Sequence, residues 1–157
     1  MAASDKRKDK KVRRQYEPNE KQVRRTEDPD SYFPFNPSWN FNNADTERWA
    51  FTQDAVGDRF WTEILPRLRG LETQTWRQIL VIASKQNHSI DVEHLNKVAR
   101  DRLDERNIEA ESIMSLRVTA THRLYGYMVG SVFNLLWYDD NHGDNDTCVC
   151  RSIQRHT

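Results

Sequence analysis

The spacing of apolar positions changes character twice along the chain. From Asp58 to Arg69, Phe60, Trp61, Ile64, Leu65 and Leu68 recur three and four residues apart, which places them on one face of a helix. Pro66 lies inside this stretch; it has no amide hydrogen and its ring crowds the preceding turn, so a kink or break is expected there, with Gly70 as the stop. A second helix is predicted over Thr75 to Ser84. Thr75 and Gln78 have capping-box spacing, and Trp76, Ile79, Leu80 and Ala83 form its apolar stripe. A third is expected from Asp91, as N-cap, to about Arg106. Val92, Leu95, Val98, Ala99 and Leu103 would face inward, with Glu93, Lys97 and Asp101 four apart on the wet side.

After Ala110 the period falls to two. Met114, Leu116 and Val118 alternate with Ser115 and Arg117; Leu124, Gly126 and Met128 alternate with Arg123, Tyr125 and Tyr127. Val132 to Tyr138 is apolar on both phases, as in a central strand covered on both sides. Val129-Gly130 suits a tight hairpin. Thr147 to Ile153 is read as a fourth, edge strand. The expected fold class is therefore α+β: about three helices over residues 58–106, packed on a three- to four-stranded antiparallel sheet over residues 112–153.

The remaining segments differ in composition. Residues 31–51 interleave Tyr32, Phe33, Phe35, Trp39, Phe41, Trp49 and Phe51 with Pro34 and Pro37, which predicts an irregular aromatic strap rather than a helix. Residues 1–30 have few large apolar groups, so a disordered tail is expected there, ahead of a single domain over 31–157. The chain is neutral overall, yet Met1 to Arg25 carries ten Lys or Arg against four Asp or Glu. Such a basic arm attracts phosphate whatever the sequence. No apolar run is long enough for a membrane span and the start lacks a secretory apolar core, so the expectation is a cytoplasmic protein without membrane contact.

The meander concentrates the candidate chemistry. Arg117, Arg123, Tyr125 and Tyr127 share the polar phase of two strands and should emerge from one sheet face. Guanidiniums and phenols there suit a phosphate ligand. RNA cleavage without a metal needs proton transfer and a cation for the phosphorane. His122, Tyr125 or Tyr127 would supply the first and Arg117 or Arg123 the second. The rival reading of the same face is an ordinary solvated surface of cross-strand pairs. Asp139 and His142, three apart after a strand end, would pair through carboxylate and imidazole. His142, Cys148, Cys150 and His156 are an alternative zinc set, although C-x-C is tighter than the usual spacing. Asp139, Asp140, Asp144 and Asp146 read as an exposed turn as readily as a magnesium loop. No cofactor is expected.

The segment Leu116 to His142 resembles the C-terminal signature of small uncharacterised bacterial and mobile-element proteins, in which R-x-x-G precedes a strand ending in L-W-x-D-x-x-H. Thr75 to Ile79 matches their middle section more weakly, and the resemblance covers about Trp49 to Thr157. More distantly, helices followed by an antiparallel meander with Arg on its middle strand are similar to the RelE/ParE toxin superfamily. That resemblance implies an endoribonuclease acting on RNA, free or on the ribosome, or a gyrase poison, with an antitoxin protein as partner. Three leading helices, the long tail and the absence of a Lys-rich sheet depart from that pattern. The alternative reading is a non-catalytic interaction protein that binds protein or nucleic acid through the strap and tail.

Overall fold

The computed structural model describes residues 31–143 and 148–150. Its fold is α+β, built on a mixed five-stranded sheet. The strands are β1 (Ser38–Asn40), β2 (His88–Asp91), β3 (Ser112–Arg117), β4 (Arg123–Val129) and β5 (Val132–Asp139), in the order β1-β5-β4-β3-β2. β3, β4 and β5 form the expected meander, and Val129 pairs with Val132 across a two-residue turn.

Two strands were not expected. β1 lies in the aromatic strap and runs parallel to β5, with Trp39 opposite Phe133, so the sheet is mixed and not purely antiparallel. β2 pairs antiparallel with β3 through His88–Ser115 and Ile90–Ile113. At three and four residues, both are too short for alternation to reveal. Of the expected edge strand over 147–153, Cys150 forms an isolated antiparallel bridge to Leu95; its other residues, apart from Cys148 and Val149, lie outside the described ones, as does the tail of residues 1–30.

The helices cover both faces. α1 (Gln53–Val56) leads into a π-helical turn (Phe60–Ile64) that continues directly as α2 (Leu65–Leu71). Pro66 therefore does not end the helix. It sits in the first turn of α2, where its missing donor costs least, and the wider turn before it closes through Leu65 N to Phe60 O. The capping box at Thr75 forms as expected: the Thr75 amide donates to Gln78 Oε1 at 2.9 Å and the Gln78 amide donates to Thr75 Oγ1 at 3.3 Å. A second π-helical turn, Gln78–Ile82, follows. The third helix starts later than expected, as α3 (Lys97–Glu105), because Asp91 belongs to β2 and a 3-10 turn (Val92–His94) intervenes. Its N-cap is Asn96, whose side chain accepts from the Val98 amide.

One core joins Ile64, Leu68, Leu71, Trp76 and Ile79 to Met114, Leu116, Leu124, Phe133, Leu135 and Tyr138. The other joins Leu95, Ala99 and Leu103 to Ile113, Tyr125, Leu136, Trp137 and Val149. A bulge in β5 explains why that strand reads as apolar on both phases. Tyr125 pairs with Trp137 but Gly126 pairs with Leu135, so Leu136 is the extra residue and joins Trp137 on the α3 side. Gly126 sits at this point because a Cβ there would lie 2.6 Å from the Phe133 ring.

Candidate functional site

Register decides which side chains meet. Across β3, β4 and β5, Arg117, Arg123 and Asp139 form one row, and Ser115, Tyr125 and Trp137 form the next on the same face. Arg117, Arg123 and Tyr125 thus share a face, as their alternation predicted. That face is not an open surface: Tyr125 is fully buried and Arg123 is buried. Arg123 Nη1 donates to the carbonyls of Thr119 at 2.6 Å, His122 at 3.1 Å and Ala120 at 3.3 Å. The guanidinium closes the β3–β4 turn from inside, and burial depresses its basicity. Tyr127 packs at the margin of the same core cluster as Tyr125, its hydroxyl accepting from Asn43 Nδ2 at 2.7 Å.

Beside the buried row lies a polar nest. The Tyr125 hydroxyl meets His142 Nδ1 at 3.2 Å. The Asp139 carboxylate does not pair with His142; it accepts from the amides of Asn141 and Val149, both at 2.9 Å. Burial raises its pKa against the pull of those two amides. Cys148 and Cys150 are buried free thiols. The Cys148 thiol donates to the Cys150 carbonyl at 3.1 Å. Cys150 is drawn toward its thiolate first by the Cys148 thiol and then by the His142 imidazole. His142, Cys148 and Cys150 do not bring their ligand atoms as close together as Asp91, Glu93 and His94, an exposed trio within 4.8 Å. His156 lies outside the described residues.

His122 points to the opposite side, where the structure gathers residues that apolar periodicity passed over. Its Nδ1 lies 2.9 Å from the Tyr138 hydroxyl and 3.3 Å from Glu63 Oε2. Glu63 Oε2 is buried and has no hydrogen-bond donor of good geometry. Arg59 is exposed on the same helical stretch; burial raises the Tyr138 phenol's pKa and the nearby Arg59 charge opposes that rise. One turn beyond Glu63, Arg67 Nε donates to the Arg117 carbonyl at 2.8 Å, and its basicity falls through burial and then through the nearby Arg117 charge. Arg59, Glu63 and Arg67 recur every four residues. That polar stripe was legible, but only the apolar face of the same helix was read. The turn end of the meander thus carries an imidazole, a carboxylate, a phenol and two arginines on neighbouring elements.

The chain matches no known family model, no curated protein and no solved structure.

Proposed function

We propose that the protein is a metal-independent endoribonuclease of RelE-like type, the toxin of a toxin–antitoxin or phage-defence pair. The observation that carries this reading is the seating of His122 between Glu63 and Tyr138, with Arg59 beside Tyr138 and Arg67 one turn beyond Glu63, bonded to the Arg117 carbonyl. The ring is engaged through Nδ1, so proton transfer falls to Nε2. His122 takes the proton of a ribose 2'-hydroxyl while its oxygen attacks the adjacent phosphorus. The bond from phosphorus to the 5'-oxygen breaks, and that oxygen takes a proton from water. Glu63 orients the ring and stabilises the imidazolium that forms, and the arginines stabilise the equatorial oxygens of the phosphorane. Glu63 is a positioning residue in this scheme. The catalytic set thereby moves from the buried Arg123–Tyr125 face to the His122 side.

Cleavage of a labelled RNA in chelator tests this. His122→Ala should lower the rate by about 10²–10⁴, and Arg59→Ala by roughly 10², with circular dichroism unchanged. Glu63→Gln should lower kcat, leave KM in place and alter the pH profile. Wild-type protein that leaves RNA intact, with or without ribosomes, would contradict the reading.

Surface aromatics favour a second reading, an interaction module. Trp61 is 68% exposed and Phe35 56%, and the exposed Phe41 stacks on Phe51 at 5.8 Å. On that reading the strap binds a protein or nucleic-acid partner and no cleavage occurs.

A further inference from the structure

The nest around Cys148 and Cys150 is not used by the cleavage scheme, and its construction exceeds what two buried thiols need. Asp139 pins the amide of Val149, the residue between the cysteines, and the amide of Asn141, the residue before His142. One carboxylate therefore holds the dithiol and the histidine in register. Tyr125 fixes His142 through Nδ1, leaving Nε2 as the free ring nitrogen. Gly143, the residue after His142, adopts a φ of +98°, a backbone conformation that side chains disfavour. An imidazole hydrogen-bonded through one nitrogen, with the other left for a metal, is the usual form of a histidine ligand.

We propose that Cys148, Cys150 and His142 bind one thiophilic divalent ion, for which Zn²⁺ is the fitting chemistry. Two thiolates and an imidazole supply three of the four positions of a tetrahedral zinc. The Cys148 thiol now faces the Cys150 carbonyl, so capture requires its side chain to rotate toward the second sulfur, and the thiol protons leave to solvent. The His142 amide donates to the Thr121 carbonyl at 2.9 Å, which ties the nest to the turn carrying His122. Metal there braces that turn without touching substrate. The inference is independent of the cleavage reading, since binding is measured without RNA.

The test uses the full chain, stripped with chelator under reducing conditions and titrated with Zn²⁺ and separately with Co²⁺. The expected result is one equivalent bound, a higher melting temperature and a sulfur-to-cobalt charge-transfer band. Cys148→Ser and Cys150→Ser should each abolish the band. Because either variant could fold poorly, the wild-type protein provides a second measurement: Zn²⁺ should slow the reaction of its thiols with a chromogenic disulfide at least tenfold. Absence of zinc binding, thiol reactivity unchanged by zinc, or zinc uptake undiminished in a folded double-cysteine variant (which would point to the exposed Asp91, Glu93 and His94) would overturn it.

Discussion

Asp45 shows how much one buried residue organises. Its side chain is fully buried and accepts from Arg102 Nε at 2.8 Å and Nη2 at 2.9 Å, from the amides of Glu47 and Arg48, and from Trp137 Nε1 at 3.1 Å. Burial alone would raise its pKa, but these donors outweigh it and hold the carboxyl far below its ordinary 3.8. A depressed folded-state pKa means stability that is fully present above the unfolded value and is lost as pH falls below it. Asp45→Asn should therefore cost about 1.5–3 kcal/mol at neutral pH, because the amide cannot accept from all of these donors. The gap in melting temperature between variant and wild type should hold from pH 8 to 5 and shrink toward pH 2. A gap that is already gone at pH 5 would refute this. The burial of Asp45 was not legible in the sequence, since its side-chain partners Arg102 and Trp137 are 57 and 92 positions away. Arg123 and Tyr125 were misjudged for a related reason. Alternation assigns side chains to a face, but whether that face is covered depends on where α3 folds back.

At the scale of elements, sequence patterning was most informative where segments were long. The three meander strands and the capping box at Thr75 were readable because each carries a local signal of period or spacing. β1 and β2 were not, because three or four residues cannot establish a period and their pairing comes from distant strands. The start of the third helix slipped from Asp91 to Asn96 because both are good caps and only the pairing of Asp91 with Ser112 decides between them. Asn96→Ala should cost about 1 kcal/mol through loss of the cap. Gly126→Ala should cost more, roughly 1–3 kcal/mol or above, because the added methyl meets the Phe133 ring and the Asn134 carbonyl at the bulge. Denaturant midpoints of the two variants check both values, and a Gly126→Ala variant as stable as wild type would show that the bulge can shift without loss.

For the molecule as a whole, helices on both faces leave the strand ends and turns as the places where polar groups can meet solvent. The β3–β4 turn sits at such an end, with His122 on the α2 side and the Cys148–Cys150 nest behind it. Among the described residues no helix is long and apolar enough to cross a membrane. The basic stretch at residues 1–25 supplies phosphate affinity to the cleavage reading through sequence alone. Its removal should weaken RNA binding and steepen KM without changing kcat, which salt-dependent binding curves would measure.

If His122 drives attack by a ribose hydroxyl, the cleavage products report on that step directly. An RNA substrate should yield a 2',3'-cyclic phosphate and a 5'-hydroxyl, and the same oligonucleotide with a single 2'-deoxy residue at the cut site should resist cleavage there. Equal cleavage of the 2'-deoxy substrate, or products bearing a 5'-phosphate, would contradict the account.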